Sequence, residues 1–361
     1  MQAAILQEVN APLTIEAVEI EKPKRREVLL RTAFAGLCHS DLHFIEGLYP
    51  FPLPCVLGHE AAAVVEAVGE DVTYVKPGDH VITCLSVFCG ECAQCATGHP
   101  NLCENTEVKL LPGAARRLRW KGAVLNQAFN LSAFAEQMLV HEHAIVKIDP
   151  TIPLDRATLV GCGVMTGVGA VFNTAKVEPG SSVLVIGAGG VGLNVIQGCA
   201  IAGAGIIVAV DMAENKLELA KQFGATHTLN AGKEENLVKA VKKLTGGGAD
   251  YAFECIGLGK MVEQAFRAVR KGGTALVVGV ARGDDSTSLK TASITFEEKT
   301  LTGSYYGSAR PREDFPRLIA LYQAKKLKLD ELITRTYGID EAAQAFADLE
   351  AGRNARGVIV F

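Results

Sequence analysis

A short stretch of the sequence, GLCHSDLH at residues 36–43, concentrates side chains that can do chemistry. Its thiol, two imidazoles, hydroxyl and carboxylate belong to Cys38, His39, Ser40, Asp41 and His43. A thiol beside an imidazole could be a nucleophile with its base. The same groups could be half of a metal site, or a coincidence of composition. Residues elsewhere in the chain must decide between these interpretations.

Four more cysteines follow in CGECAQCATGHPNLC, with the spacing C-x2-C-x2-C-x7-C. They are Cys89, Cys92, Cys95 and Cys103. Four thiolates satisfy tetrahedral zinc and leave no open position, so this pattern predicts a structural zinc site. An iron–sulfur cluster is the alternative, but those sequences bring the fourth cysteine closer and follow it with proline. Here Glu104 follows Cys103, and the spacing favours zinc.

A second metal site is predicted from three separated segments. LGHE supplies His59 and Glu60, and GCGVMTG supplies Cys162. Together with Cys38 they offer two thiolates and one imidazole, a set that leaves zinc formally neutral and its fourth position open. An open position is what the polarisation of a substrate oxygen requires. The alternative for Cys162 is a small residue of the hydrophobic core.

The segment VLVIGAGGVG predicts a dinucleotide-binding turn, because its glycines are in G-x-G-x-x-G register between a strand and a helix. The residues of this turn are Gly187, Gly189, Gly190, Val191 and Gly192. Asp211, at the end of the next strand, can accept both ribose hydroxyls and would repel a 2′-phosphate, which favours NAD over NADP. Alternatively, Asp211 caps the next helix, on which Lys216 either reaches the ribose or faces solvent.

These residues must be positioned by two kinds of domain. Residues 1 to about 160 contain short β-rich runs broken by Gly and Pro, such as VLLRTAFAG and AAAVVEAVG. From about residue 180, strands alternate with helical segments, which predicts a doubly wound parallel sheet. The C-terminal residues are expected to rejoin the first domain. The predicted domains are 1–163 with 306–361, and 164–305.

Composition narrows the function. The 361 residues carry 36 Lys+Arg against 40 Asp+Glu, so we expect no basic surface for nucleic acid or for an anionic membrane. The uncharged interval between Glu178 and Asp211 is rich in glycine, which predicts a strand, turn and helix rather than a membrane span. The N-terminus lacks a signal-peptide pattern, so we expect a cytoplasmic protein. Clustered cysteines in such a protein indicate metal ligands or catalytic groups rather than disulfides.

In their order along the chain, GLCHSDLH, GHE, the four-cysteine segment, GCGVMTG and GAGGVG resemble the zinc-containing medium-chain alcohol dehydrogenases, over residues 1–361. The resemblance implies an α/β fold with a GroES-like β-rich catalytic domain and a Rossmann domain. It implies two zinc ions per chain, the catalytic one held by Cys38, His59 and Cys162. Asp41 would orient the histidine ligand, and Glu60 would approach the metal transiently.

The resemblance also assigns the remaining reactive residues. Ser40 would bond the substrate oxygen, and His43 would end a proton relay. The positions that match contacts to the cofactor pyrophosphate and nicotinamide are His39, Thr166, Val280 and Arg356. The implied reaction is the reversible oxidation of an alcohol with hydride transfer to NAD.

The implied substrate is a small-molecule alcohol or aldehyde. Tyr49, Leu85 and Phe129 should face it, which predicts an apolar primary alcohol. Aromatic and secondary alcohols are further candidates, because Ser40 lacks the methyl group of the Thr found in many relatives. The long lobe that follows Cys103 predicts a homodimer rather than a tetramer.

Three alternatives stay open. A formaldehyde dehydrogenase that acts on a thiol adduct would use lobe arginines, although Tyr49 occupies the position where that group has an acidic residue. The candidate arginines are Arg116, Arg117 and Arg119. A zinc-free reductase that uses NADPH is opposed by the full ligand set and by Asp211. A catalytically silent scaffold protein is opposed by the intact proton relay.

Overall fold

The computed structural model describes residues 1–109 and 117–361, and these form two compact units. The first unit comprises Met1–Cys162, Arg310–Ala320 and Leu329–Phe361. The second comprises Gly163–Ala309 and Leu321–Lys328. The sequence predicts domain boundaries after residue 163 and before residue 306. The structure adds Leu321–Lys328 to the second unit, where Lys328 N donates to Gln197 Oε1 at 2.9 Å.

Short strands dominate the first unit. They are β1 (Gln2–Leu6), β2 (Thr14–Ala17), β3 (Glu19–Ile20), β4 (Glu27–Gly36), β5 (Cys55–Val56), β6 (Ala61–Val68), β7 (His80–Thr83), β8 (Leu118–Trp120), β9 (Ala123–Gln127), β10 (Gln137–His141) and β11 (Ile145–Ile148). Its helices before residue 163 are short: α1 (His39–Ile45), α2 (Ala93–Ala96) and α3 (Leu154–Ala157). One sheet has the strand order β2-β1-β5-β9-β8-β3.

The pairing of β4 with β6 brings the reactive segments together. β4 buries Val28, Leu30 and Thr32 on one face, as expected of a strand in which side chains alternate between the two faces. It pairs antiparallel with β6, and Ala35 lies opposite Ala61. Because β4 ends just before Cys38 and β6 begins just after Glu60, this register makes those two residues neighbours.

A parallel sheet forms the second unit. Its strands are β12 (Ser182–Ile186), β13 (Ile206–Asp211), β14 (His227–Asn230), β15 (Ala249–Glu254), β16 (Val269–Val277) and β17 (Thr300–Gly303). Its helices are α4 (Gly163–Gly169), α5 (Gly190–Ala202), α6 (Glu214–Gln222), α7 (Leu237–Leu244), α8 (Gly259–Ala268) and α9 (Thr291–Glu297). The strand order is β14-β13-β12-β15-β16-β17, and all pairs are parallel. From β12 the chain first adds β13 and β14 on one side, and then adds β15, β16 and β17 on the other, so the topological switch point lies between β12 and β15. Ligands of doubly wound sheets bind at such a switch point, beyond the carboxyl ends of the strands.

The chain then returns to the first unit. The C-terminal elements are α10 (Pro311–Gln323), β18 (Ile333–Gly338), α11 (Ala342–Glu350) and β19 (Arg356–Val360). β19 pairs with β4 and completes a second sheet of order β11-β7-β6-β4-β19-β18, in which β10 also pairs with β4. The last strand of the chain therefore lies next to the strand that leads to Cys38.

The predicted α/β fold class, a β-rich domain with a doubly wound parallel-sheet domain, is confirmed. Buried strands such as β12, with the sequence SVLVI, read as continuous apolar runs because both faces of a parallel sheet are covered. Within the described residues, no single helix has the length and apolarity to cross a membrane. One bent pair, Leu154–Gly161 with Gly163–Ala175, meets the criterion on length and composition alone.

Candidate metal and cofactor sites

Four buried side chains of the first unit offer metal-ligating atoms that all lie within 4.8 Å of one another. We call Cys38, His59, Glu60 and Cys162 the buried cluster. Cys38 follows β4, His59 and Glu60 precede β6, and Cys162 follows the 3-10 turn Thr158–Gly161. The structure thus brings together the three ligands that the resemblance implies, from three separate segments of the chain.

Hydrogen bonds from backbone and threonine groups hold these segments close together. Gly36 N donates to Glu60 O at 2.9 Å, and Thr158 Oγ1 donates to the same oxygen at 3.2 Å. A methyl group at Gly36 would lie 2.5 Å from Glu60 Oε2, so a larger residue at the end of β4 would displace the Glu60 side chain. Ala61 N donates to Thr83 Oγ1 at 2.9 Å, which ties the start of β6 to β7.

The structure places Asp41 beside His59, where the resemblance implies the partner of a histidine ligand. The Nδ1 atom of His59 lies 3.1 Å from Asp41 Oδ2, and Gly58 N donates to Asp41 Oδ1 at 2.9 Å. Both side chains are fully buried. His59 Nε2 is also buried and has no hydrogen-bond partner in the described part of the chain. An imidazole whose Nδ1 lies close to a buried carboxylate, and whose Nε2 lies among thiols, fits a metal ligand.

The charges within the buried cluster set the protonation of its ligating groups. Burial alone would lower the pKa of His59, but the charges of Asp41 and Cys38 raise it well above its ordinary value. A hydrogen bond from Cys162 lowers the pKa of the Cys38 thiol, and the His59 imidazolium adds to that effect. The hydrogen bond to Cys38 and burial raise the pKa of the Cys162 thiol well above its ordinary value. Because ligation requires thiolates and a neutral imidazole, a metal ion that binds here must displace protons from Cys162 and His59.

Arg356 and Glu60 form a buried ion pair at the edge of this cluster. Arg356 Nη2 donates to Glu60 Oε2, and both side chains are almost fully buried. Burial raises the pKa of Glu60 to about 7, against the opposing effect of Arg356. Sequence reasoning predicted Arg356 as a cofactor contact and did not foresee this pair, because the two residues are far apart in the chain.

The predicted relay residues share one helix. Ser40 and His43 lie on α1, and Ser40 Oγ is 3.6 Å from Cys38 Sγ. His43 Nδ1 is buried and has no hydrogen-bond partner within residues 1–109 and 117–361. His39 is the exposed first residue of α1. The Ser40 hydroxyl therefore lies beside Cys38 of the buried cluster, and His43 follows one helical turn later on α1.

Aromatic rings line the same region. The Phe129 ring lies 4.3 Å from the His59 ring, and Phe44 contacts Phe129 at 5.1 Å, centroid to centroid. Phe44 also contacts Tyr49 at 5.8 Å, and Tyr49 lies 5.5 Å from His43. Sequence reasoning missed Phe44, which joins two of the predicted pocket residues. Leu85, the third of these residues, is half-buried and packs against the core of the first unit.

The four cysteines of residues 89–103, which we call the four-cysteine cluster, also lie within 4.8 Å of one another. Cys89 Sγ lies 3.9 Å from Cys95 Sγ and 3.7 Å from Cys103 Sγ, and Cys92 Sγ lies 3.8 Å from Cys103 Sγ. Tetrahedral zinc with Zn–S bonds of about 2.3 Å needs sulfurs roughly 3.8 Å apart, so the thiols fit zinc. Backbone N–H groups of Glu91 and Cys92 donate to Cys89 Sγ.

The glycine-rich turn of the second unit has the predicted geometry. Gly187 has φ +94, and a Cβ at Gly192 would lie 1.7 Å from Gly187 O. Beside Gly189 there is open space, and α5 begins at Gly190. The unpaired N–H groups of its first turn, where Val191 lies, fit a pyrophosphate.

Asp211 binds the backbone of this turn and the backbone just before α6. Its Oδ2 accepts from Ala188 N at 2.9 Å and its Oδ1 accepts from Ala213 N at 3.0 Å. The carboxylate therefore holds the turn and the segment that leads into α6. Lys216, on α6, is half-buried. Of the other predicted cofactor contacts, Thr166 is buried on α4 and Val280 is exposed after β16.

The lobe arginines take different positions. Arg117 donates to Glu21 at 2.8 Å and to Glu27 at 2.6 Å, so its charge is already compensated. Arg119 lies exposed on β8, and Arg116 lies outside the described residues.

Known proteins resemble both units. Residues 24–150 match the alcohol dehydrogenase GroES-like domain, and residues 190–324 match the zinc-binding dehydrogenase family. The chain is 40% identical to an NDMA-dependent alcohol dehydrogenase of Amycolatopsis methanolica, covering 99% of this chain and 98% of that protein. It is 41% identical to alcohol dehydrogenase class-3 of Pisum sativum, covering 99% and 97%.

Solved structures agree with these matches. Benzyl alcohol dehydrogenase from Acinetobacter calcoaceticus superposes with a TM-score of 0.94 at 35% identity, over 100% of this chain and 99% of that one. A zinc-binding dehydrogenase from Sinorhizobium meliloti, bound to NADP, superposes with a TM-score of 0.83 at 25% identity, over 100% and 99%.

Proposed function

The chain belongs to the zinc-containing medium-chain alcohol dehydrogenase family, and from this premise we propose that it oxidises an apolar primary alcohol reversibly to the aldehyde, with hydride transfer to NAD. The observation that carries the proposal is the buried cluster. Two thiols and an imidazole converge there, next to a helix that carries a hydroxyl and a second imidazole. The same combination of residues argues against the alternative of a catalytically silent scaffold protein.

In this proposal Cys38, His59 and Cys162 hold the catalytic zinc, and Asp41 keeps His59 in the tautomer that ligates through Nε2. When bound, zinc supplies a Lewis acid for the substrate oxygen, and nicotinamide supplies the hydride acceptor. Ser40 accepts the proton of the substrate hydroxyl as it releases its own hydroxyl proton towards His43, one helical turn further along α1, from which a proton leaves to solvent. Both transfers run in reverse during aldehyde reduction.

Glu60 and the four-cysteine cluster have supporting tasks. Glu60 lies within ligand distance of the cluster but is held by Arg356, so it is proposed to approach the metal only when that ion pair loosens. The four-cysteine cluster would hold a second zinc that has no open position and therefore stabilises the lobe.

NAD is the proposed cofactor because the Asp211 carboxylate would repel a 2′-phosphate. The proposed contacts are the glycine-rich turn, Asp211 and Lys216, with His39, Thr166, Val280 and Arg356 as further candidates. The NDMA-dependent relative and the NADP-bound neighbour make the cofactor a point to test. Initial rates should be measured with NAD and NADP, each with and without NDMA. We expect NAD to be preferred; a preference for NADP, or turnover only with NDMA, would refute this part.

An aromatic alcohol is the proposed substrate class. Phe129, Phe44 and Tyr49 form a continuous aromatic surface between His59 and His43, and aromatic pairs add about 0.5–1.5 kcal/mol beyond their buried area. Benzyl alcohol, ethanol, a long-chain primary alcohol and a secondary alcohol should be compared by the absorbance of the reduced cofactor. Benzyl alcohol is expected to give the highest kcat/KM. Activity confined to formaldehyde with a thiol would favour the thiol-adduct alternative.

A homodimer is proposed, with the second unit supplying the interface. β17 is the last strand of the parallel sheet, and an unpaired strand edge readily pairs with another chain. Exposed apolar side chains surround it, with Phe296 82% exposed and Ile294, Leu301 and Tyr305 also exposed. Light scattering should give a dimer for the wild type and a monomer for Phe296→Arg; a wild-type monomer would contradict the proposal.

The cytoplasm is the proposed location. All ten cysteines are free thiols, and six of them belong to the two clusters as proposed ligands. Thiolate ligands need a reducing compartment, which supports this location.

A further inference from the structure

The carboxylate of Asp348 gathers hydrogen bonds on both oxygens, although its side chain on α11 is only 3% exposed. Oδ2 accepts from Tyr337 Oη and from Arg335 Nη1, each at 2.8 Å. Oδ1 accepts from Gln344 Nε2 at 2.9 Å and from Arg353 Nε at 2.8 Å. We call these five residues the Asp348 hub. The bonds from Tyr337, Arg353 and Gln344 lower the pKa of Asp348 to about 2, so its charge persists.

The hub joins three successive elements near the end of the chain. Gln344 lies on α11 with Asp348, and Arg335 and Tyr337 lie on β18. Arg353 lies in the turn between α11 and β19, and its backbone N–H also donates to Asp348 O at 2.9 Å. The turn that leads into β19 is therefore fixed to the helix before it and to the strand beside it.

The next residues of the turn are held as well. Asn354 Nδ2 donates to Tyr337 Oη at 3.0 Å, and Ala355 N donates to Thr334 Oγ1 at 3.0 Å. Thr334 Oγ1 in turn donates to Arg356 O at 3.3 Å. Side-chain contacts thus define the backbone up to the first residue of β19.

Two groups at the start of β19 contact the buried cluster or the residue that precedes it. The Arg356 guanidinium donates to Glu60, and Gly357 O accepts from Leu37 N at 3.0 Å, one residue before Cys38. A methyl group at Gly357 would lie 2.6 Å from Leu37 Cδ1 and 3.1 Å from Tyr337 Cε2. The strand therefore packs without spare room between the hub and the segment that carries Cys38.

We propose that Asp348 is a positioning residue of the active site, which fixes the start of β19 so that Arg356 meets Glu60 and Gly357 supports the Cys38 segment. The inference rests on the proposed zinc site. Asp348 itself touches neither substrate nor metal ligand in this account; it acts through Arg356 and Gly357.

Asp348→Asn is the first test, because it keeps the size of the side chain while it removes the charge and turns one acceptor into a donor. Cobalt(II) should replace zinc, since the visible absorption of a cobalt–thiolate site reports on ligand geometry. We expect a shifted cobalt spectrum and a lower kcat/KM. In an Arg356→Lys background the same substitution should cost less, with a non-additivity of roughly 2- to 100-fold, as for residues within one hydrogen-bond network.

Asp314→Asn is the matched control. Asp314 is a buried carboxylate on α10 whose side chain accepts from Arg310 N at 2.7 Å. We expect this control to lower the thermal midpoint, to leave the cobalt spectrum unchanged and to be additive with Arg356→Lys. If Asp348→Asn behaves in the same way, Asp348 is structural only and the proposal is wrong.

Tyr337→Phe keeps the proposal testable if Asp348→Asn does not fold, because it removes one bond of the hub and keeps the ring. A smaller spectral shift in the same direction is expected, and a wild-type spectrum would overturn the proposal. The cobalt spectrum needs no turnover. A wild type that binds cobalt but oxidises no alcohol would refute the proposed function and still allow the positioning role to be measured.

Discussion

The buried cluster and the four-cysteine cluster both offer thiols to a metal, but the chain builds them in different ways. The four-cysteine cluster comes from residues 89–103 alone, is partly exposed, and has sulfurs that accept backbone N–H groups. The buried cluster comes from three segments and includes an imidazole and a carboxylate. Its geometry is set by the pairing of β4 with β6 and by the partners Asp41 and Arg356.

This difference in construction distinguishes a metal that stabilises the fold from a metal that takes part in the reaction. Within one short loop, the metal itself must supply much of the free energy that orders the chain. In the buried cluster the surrounding sheet positions the ligands, so the loss of one ligand should affect reactivity more than folding. Substitutions that affect one cluster and spare the other can break or sharpen this distinction.

The largest effect is expected from Cys38→Ser. The loss of a thiolate ligand removes the metal that polarises the substrate oxygen, a contribution of several kcal/mol, so kcat/KM should fall by about a thousandfold or more. The unfolding midpoint should stay near that of the wild type, as measured by circular dichroism. A Cys38→Ser protein with normal turnover would refute the ligand assignment.

Cys92→Ser should have the opposite profile. The four-cysteine cluster then lacks one ligand, the lobe loses the folding energy of its metal, and the thermal midpoint should fall by roughly 5 °C or more. The fraction that stays folded should oxidise alcohol at a rate close to that of the wild type. An unchanged midpoint would show that this cluster does not stabilise the protein.

Asp41→Asn should give a smaller effect, confined to the buried cluster. The amide can no longer hold His59 as an anion does, and the loss of such a partner typically costs about 10- to 100-fold in metal affinity or activity. Dialysis against a chelator, followed by metal analysis, should remove the zinc of the buried cluster at lower chelator concentration than in the wild type. Equal sensitivity of the two proteins would contradict the role of Asp41.

The two clusters also show what a sequence can reveal. The C-x2-C spacings and the glycine-rich turn are local, so the residues that act together are neighbours in the sequence and are recognised directly. The ion pair between Glu60 and Arg356 joins residues 296 positions apart, and only the pairing of β19 with β4 makes them neighbours. The role of Phe44 depends on ring orientation, and Leu321–Lys328 packs with the second unit through contacts that no periodicity encodes. The fold class, the residues that converge in the two clusters and the approach of Asp41 to His59 were therefore predictable from sequence. The Glu60–Arg356 pair, the contacts of Phe44 and the packing of Leu321–Lys328 were not.

The most direct test of two zinc sites of different kinds is metal analysis of the purified wild-type chain beside Cys38→Ser. One closed and one open site predict about two zinc ions per chain in the wild type and about one in the variant, with the remaining zinc in the four-cysteine cluster. One zinc or none in the wild-type chain would contradict the account.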